Sequence, residues 1–354
     1  MNTEFPLVAV LISSKDRPDE LARTLRELRR QDYPALELVV IDDGSKESLE
    51  PVVRRVWPQA RFLRHMRAAG QSQRRSEGFH LSQGRYVLQL DDDSAPVAAD
   101  AVRRAVRCCE ADPSIAVVSF RIFNGAEPPA TLPPAAPRFV SSFVGCGALI
   151  RAEAVCQVGG YRPLFGNEWE EEELSLRLLK AGWLLWFAPD ILIHHRLSPL
   201  NRRTARTWMR GFRNKLWSMV MHYPLRRVLL EGAWVIALAA WDAVRLLRPH
   251  YYLLGIIQFF WGLPRALRLR DPMSTPALRR YDALRFREVV SREELEAPAP
   301  VSAGELWRWF LARWRNRPRQ RSFWDRRPGD IGTSDTVRFA HEFDRQGFGP
   351  EARR

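Results

Sequence analysis

The sequence predicts an α/β fold, a mostly parallel sheet flanked by helices, followed by a helical extension of a different character. Three observations predict it. Short, continuous, β-branched apolar runs end in acidic turns, at Leu36–Ile41 and again at Tyr86–Leu90. An earlier apolar run, Leu7–Ile12, and Leu36–Ile41 enclose a stretch with helical spacing, which is the strand–helix–strand pattern of a parallel crossover. Past Pro224 the texture changes to longer apolar and aromatic stretches carrying a basic surplus.

The elements follow in order. Leu7–Ile12 is the first buried strand, and Asp16-Arg17-Pro18-Asp19 supplies turn and helix-start signals. Leu21, Leu25 and Leu28 recur on one helical face until Tyr33-Pro34 ends the pattern. Leu36–Ile41 runs into Asp42-Asp43-Gly44-Ser45, and Tyr86–Leu90 into Asp91-Asp92-Asp93. Ile115–Phe120 is a fourth strand, and Trp186–Ile193 leads into His194-His195. Ligands of open α/β sheets bind beyond the carboxyl ends of the strands, where these acids fall. Pro128–Pro137 reads as an irregular loop.

The 354 residues carry a net charge of +14. Residues 1–200 are near neutral, with about 25 basic and 26 acidic side chains, whereas 201–354 hold about 30 and 15. Only the second part is expected to meet a polyanion, an anionic bilayer or nucleic acid. Four cysteines, Cys108, Cys109, Cys146 and Cys156, lack zinc-ligand spacing and are too few for a disulfide scaffold, so reduced core thiols are expected. The opening segment has no basic region before its short apolar run, which predicts a first strand instead of a signal peptide and a cytoplasmic catalytic part.

Several side-chain groups carry chemistry. Asp91 and Asp93, one residue apart at a strand end, suit a hard divalent cation that neutralises a diphosphate; the alternative is a solvated acidic turn. Asp42 and Asp43 suit a nucleobase N–H or a ribose hydroxyl, or an ordinary turn. Glu168 and Glu170-Glu171-Glu172-Glu173 open an amphipathic helix, where acids complement the helix dipole. They exceed what capping needs, so one could act as general base. A histidine of the pair His194-His195 could reach the same cation. No Walker loop is present, and Asp16-Arg17 stand where a dinucleotide turn needs glycine, which disfavours NTP hydrolysis and dinucleotide chemistry.

The order of these pieces resembles family 2 glycosyltransferases of the GT-A fold. The likeness runs from Asp42-Asp43-Gly44-Ser45 through Gly70–Gly78 and Gly84–Asp93 to Gly145–Arg151, Val158-Gly159-Gly160-Tyr161, Glu170–Arg177, Gly182 and His195. It covers about residues 6–225, ending in Arg213-Asn214-Lys215-Leu216-Trp217 and Tyr223-Pro224. The resemblance implies that Asp91 and Asp93 are the DXD pair holding Mn²⁺ or Mg²⁺ on the donor diphosphate, with His195, better matched than His194, on the metal side. It implies that Asp42 and Asp43 recognise base and ribose, that Ser13 contacts the nucleotide, and that Arg75 lies near the diphosphate. Arg74 and Ser76 stand where the family has Ala and Asn, so donor contacts there are expected to differ from the usual. Glu171 stands where the family has a catalytic Asp, with Glu170 or Glu172 as substitutes.

The expected activity is inverting, metal-dependent transfer from a UDP-, GDP- or dTDP-sugar to a lipid-linked or polysaccharide acceptor in cell-surface glycan synthesis. The expected organisation is a GT-A domain over 1–225 (nucleotide-sugar part about 1–125, acceptor part about 126–225), an interfacial helical segment over 226–274 and a basic Trp/Arg-rich extension over 275–354. Val228–Leu247 and Tyr251–Leu263 are too interrupted or too short for a clear membrane span. Leu306, Trp307, Phe310, Leu311 and Trp314, with Arg308, Arg313 and Arg315, form an amphipathic pattern. The extension is therefore expected to sit peripherally on the inner face of the cell membrane. The rival readings are an inactive GT-A scaffold and a basic membrane- or nucleic-acid-binding protein, the last lacking any accompanying nucleic-acid motif.

Overall fold

The computed structural model describes residues 5–308 apart from 126, 129–131, 199–203, 246, 248, 303 and 306. Of the Arg/Trp pattern between Leu306 and Arg315, only Trp307 and Arg308 lie within the described residues.

The elements run β1 (Val8–Ser14), α1 (Pro18–Leu28), β2 (Leu36–Asp43), α2 (Glu50–Val56), β3 (Arg61–His65), α3 (Gln71–Leu81), β4 (Tyr86–Asp91), β5 (Ser94–Pro96), α4 (Ala101–Ala111) and β6 (Ile115–Asn124). Then come β7 (Arg138–Phe139), β8 (Gly147–Arg151), α5 (Ala152–Gln157), α6 (Glu170–Lys180), β9 (Leu184–His195), α7 (Thr204–His222), α8 (Leu225–Arg245), α9 (Pro249–Arg268) and α10 (Thr275–Phe286). The sheet order is β3-β2-β1-β4-β8-β6-β9-β5, with β7 also on β9. Pairs among β1 to β4, and β6 with β9, are parallel; β8 runs antiparallel to both β4 and β6, and β5 and β7 antiparallel to β9. The sheet is thus mixed, and the reversed strand β8 joins the parallel half β3-β2-β1-β4 to the rest.

Sequence chemistry accounts for the layers. α1 begins with Pro18 in its first turn beside Asp19 and Glu20, and buries Leu21, Leu25 and Leu28. With Val53 of α2 and Ala105 and Cys109 of α4 these cover one face of the sheet. Phe79 of α3, Val155 of α5, Leu174 and Leu178 of α6 and Leu284 of α10 cover the other. Strands buried on both faces need continuous apolar runs, which is why β1, β2 and β4 were legible.

α7 to α9 form a further helical layer. Phe212, Leu216 and Met219 of α7 pack with Leu176 of α6, Ala239 of α8 and Ala277 of α10. A Cβ at Gly262 of α9 would lie 2.1 Å from the Trp217 indole, so only glycine admits the crossing of α7 and α9. No helix among the described residues is long and apolar enough to cross a membrane. The outer faces of α8 and α9 are nevertheless apolar: Leu229, Leu230, Trp241, Ile257, Phe260 and Trp261 are exposed, Trp261 by 89%. All four cysteines are free; Cys109 and Cys146 are buried as expected, whereas Cys156 is exposed, so it is no core thiol.

Candidate active site

Parallel register brings the chemistry-bearing strand ends into one row. Ser13 of β1 lies between Ile41 of β2 and Asp91 of β4, and Ser14 pairs with Asp42. Asp42 is fully buried and accepts hydrogen bonds from the Ser45 and Leu49 amides at 2.8 and 3.4 Å, closing the turn after β2. Asp43 accepts from the Ala69 and Gly70 amides at 2.8 and 3.0 Å and from Arg74 Nε at 2.6 Å. Both carboxylates therefore hold the loops beyond β2, and Arg74 lies against the second of them.

The triple-aspartate turn divides into three environments. Asp91 keeps a partly exposed carboxylate, which accepts from Arg75 at 3.2 Å and Gln71 at 3.4 Å. Asp92 points inward to Ser14 Oγ at 2.7 Å and Arg17 at 2.9 Å. Burial pushes its carboxyl up to about 6, against the pull of Arg17. Asp93 is buried, accepts from the Ser198 amide at 2.8 Å and lies 3.1 Å from His195 Nε2.

His195, paired in register with Asn124, sets its Nδ1 2.8 Å from Asn124 Oδ1. Nδ1–H donates there, so Nε2 faces the aspartates. Burial works against charge on this imidazole, but Cys146 and Asp93 outweigh it and raise its pKa to about 10. His194 turns to the Gly125 carbonyl at 2.9 Å. One oxygen of Asp91, the sulfur of Cys146 and one nitrogen of His195 all lie within 4.8 Å of one another.

Arg75 of α3 links this cluster to the acidic helix. Its guanidinium, 3% exposed, donates to Asp91, to Glu170 at 3.1 Å and to Glu171 at 2.5 Å. Burial tends to lower its pKa, and Glu171 and Glu170 reverse that, raising it above the ordinary arginine value. Glu170 is 2% exposed; burial and then the Glu171 charge raise its pKa well above the ordinary glutamate value, against Arg75. The Glu171 side chain is 14% exposed and lies against Gly145, where a Cβ would sit 1.8 Å from its Oε1.

The acidic run is not one solvated face. Glu173 is buried in a structural pair, bidentate to Arg177 at 2.9 and 2.7 Å and bonded to His222 at 2.9 Å. Burial tends to raise its pKa, but the His222 and Arg177 contacts bring it down to about 2. The turn into α6 carries two non-glycine residues in the left-handed region, Glu168 at φ 73° and Trp169 at φ 70°. Asn214 of α7, fully buried, holds that turn by donating to the carbonyls of Phe165, Asn167 and Glu168 at 2.8, 3.0 and 2.6 Å.

Asp91, Arg75, Glu170, Glu171, Asp93 and His195 thus converge, while Ser13, Asp42 and Asp43 lie at the adjoining ends of β1 and β2. Sequence reasoning missed Arg17, Asn214 and the approach of Cys146. It also missed Gln89, which accepts from Tyr161 OH at 2.6 Å and donates to the Gly145 carbonyl at 2.9 Å. A polar residue inside the apolar run of β4 was the available signal for Gln89.

Comparison with known proteins agrees with this architecture. The profile described as Glycosyl transferase family 2 matches residues 9–161. The succinoglycan biosynthesis protein ExoO of Rhizobium meliloti is 27% identical over 186 residues, 48% of this chain and 50% of that protein. The pre-mycofactocin glycosyltransferase of Mycobacterium tuberculosis is 27% identical over 222 residues, 57% of this chain and 44% of that protein. The chain therefore spans about half the length of the curated relatives it matches. Among solved structures, the mannosyltransferase PcManGT of Pyrobaculum calidifontis, in complex with GDP-Man and Mn²⁺, superposes with a TM-score of 0.52 at 17% identity, covering 73% of this chain and 88% of that one. S. aureus TarS 1-349 superposes at 0.54 and 12% identity, covering 79% and 87%. The fold is GT-A, and residues 9–161 match the profile of glycosyl transferase family 2.

Proposed function

We propose that this chain is an inverting, metal-dependent glycosyltransferase that moves a sugar from a UDP-, GDP- or dTDP-sugar to a lipid-linked or glycan acceptor at a membrane surface. The observation that carries the reading is the Arg75 fork, which ties Asp91 on the donor side to Glu171 at the opening of α6.

Glu171, more accessible than Glu170 at the opening of α6, is the general base. It accepts the proton of an acceptor hydroxyl as the hydroxyl oxygen bonds to the anomeric carbon. The bond from that carbon to the diphosphate breaks with its electron pair, and the nucleoside diphosphate departs. Arg75 fixes the base and stands beside the departing charge. Glu170, buried behind the guanidinium, anchors Arg75 by accepting its hydrogen bond at 3.1 Å. Ser13, Asp42 and Asp43 border the nucleotide.

The donor set of carboxylate, thiol and imidazole at Asp91, Cys146 and His195, beside the Asp93 carboxylate, fits a divalent cation, Mn²⁺ or Mg²⁺. Bound there, a cation supplies positive charge to the leaving diphosphate. PcManGT, solved with GDP-Man and Mn²⁺, supports this chemistry.

The apolar outer faces of α8 and α9 carry Arg226 and Arg245 at the ends of one and Arg265 and Arg268 at the end of the other. Such faces suit an interfacial position on an anionic inner leaflet, with each arginine contributing up to about 1 kcal/mol. Because α8 and α9 share a core with α7, truncation at 225 would disrupt the domain, and exposed-face substitutions are the cleaner probe.

A panel of UDP-, GDP- and dTDP-sugars, scored by Mn²⁺-dependent thermal stabilisation, tests the donor reading. At least one donor should stabilise the wild type and none should stabilise Asp91→Asn. Failure of every donor would overturn the reading, and donor binding without turnover on any acceptor would favour an inactive scaffold. Flotation with anionic liposomes should be lost on joint Trp241→Ser and Trp261→Ser substitution.

A further inference from the structure

The geometry points to Cys146 as a thiolate ligand of the divalent cation, alongside Asp91 and His195, making this centre one that prefers thiophilic cations to Mg²⁺. The inference rests on the metal-dependent reading above and deepens it. It starts from strand register. Leu90 at the end of β4 pairs with Gly147 at the start of the antiparallel β8, so the next residue outward on each strand, Asp91 and Cys146, meet at the same sheet edge. His195 arrives there on β9, across from Ser94 of β5. Three elements thus bring an oxygen, a sulfur and a nitrogen within 4.8 Å of one another. Metal–ligand bonds of about 2.0–2.3 Å put two ligands of one ion about 3–4.5 Å apart, which is the scale of this cluster.

The ligands are also held in place. Ser94 Oγ donates to the Cys146 carbonyl at 2.8 Å and Gln89 to the Gly145 carbonyl at 2.9 Å, fixing the loop that carries the thiol. Asn124 fixes the imidazole with Nε2 turned inward. Cys146 is 5% exposed and packs at the rim of the apolar core, with an Asp91 oxygen and a His195 nitrogen within 4.8 Å of its sulfur. Thiolate is a soft donor, so a site containing one favours Mn²⁺ over Mg²⁺ and Co²⁺, Zn²⁺ or Cd²⁺ more strongly still, relative to an all-oxygen and imidazole set. Binding releases the thiol proton to solvent.

Co²⁺ titration of the purified full-length chain tests this directly, because sulfur bonded to cobalt gives a charge-transfer band in the near ultraviolet that oxygen and imidazole ligands do not. The band should appear in the wild type and in Cys156→Ser, whose thiol is exposed and remote in sequence, and vanish in Cys146→Ser. By calorimetry, Cys146→Ser should weaken Mn²⁺ about tenfold or more while changing Mg²⁺ less. A wild-type chain that binds Co²⁺ without the band overturns the assignment whatever the variants do, and so does a band that survives in Cys146→Ser. In either case metal-dependent donor binding can stand. A wild type that binds no divalent cation, with or without nucleotide, overturns both this assignment and the metal-dependent reading.

Discussion

Replacing Gly145 with alanine should displace the catalytic base without removing any charged group. The added Cβ would lie 1.8 Å from Glu171 Oε1 and 2.7 and 2.8 Å from the two terminal nitrogens of Arg75. Gly145 is not among the positive-φ glycines, so alanine meets no backbone penalty there. Ordinary carbon–oxygen contact needs about 3.4 Å, which asks Glu171 to retreat by about 1.5 Å. Arg75, buried and tied to Asp91 and Glu170 as well, can give only by the few tenths of an ångström that its own 2.7 and 2.8 Å approaches require. The partly exposed carboxylate therefore moves. Misplacing a reacting group by about 1 Å costs on the order of 10²-fold in rate, or about 2.7 kcal/mol in the barrier. Steady-state kinetics with the donor found in the panel, and calorimetric donor binding, measure both halves of the expectation. We expect kcat down about 100-fold with donor Kd within about twofold. A kcat within about threefold of wild type would refute the assignment of Glu171 to the chemistry.

Glu171→Gln should lower kcat by about 10² or more with donor affinity kept, whereas Glu170→Gln should change kcat less, because the buried Glu170 anchors Arg75 and is not the proposed base. Equal losses in the two variants would sink that division of roles. Glu173, with its pKa depressed to about 2 from the ordinary 4.5, contributes stability that is fully present above pH 4.5 and is lost as pH falls towards 2. That contribution is on the order of 3 kcal/mol, and denaturant melts across this range should show a flatter acid loss for Glu173→Gln than for wild type. Asn214→Ala leaves three carbonyls of the strained turn without their donor and should cost about 1–3 kcal/mol by denaturant unfolding. It should also lower kcat more than it weakens donor binding; unchanged turnover would show that α6 holds its own start.

Much of the nucleotide side was legible in the sequence. β1, β2 and β4 are buried on both faces, so their residues had to be apolar without interruption, and the acids that end them mark the ligand edge of the sheet. The amphipathic α1 announced itself by spacing and by Pro18. β3 was not legible, because Arg61, Arg64 and His65 break its pattern on an edge strand with one neighbour. β7 and β5 are too short to carry a period at all.

Within the site, the sequence by itself determined which residue types were at hand, and the tertiary structure decided what each one does. Nothing local separates Glu170, Glu171 and Glu173; helix phase buries the first against Arg75 and the last against Arg177 and His222, and leaves Glu171 beside Gly145. The left-handed turn that sets this phase uses Glu168 and Trp169, residue types that give no warning of positive φ, and Asn214 stabilises it from 46 residues away. Arg75 meets Glu170 across 95 residues, and Cys146 meets Asp91 only because β8 is laid antiparallel against β4. Local pattern fixes period and burial, because those depend on neighbours in the chain. Pairing, protonation and metal-ligand geometry depend on neighbours in space, and strand order and helix phase supply those.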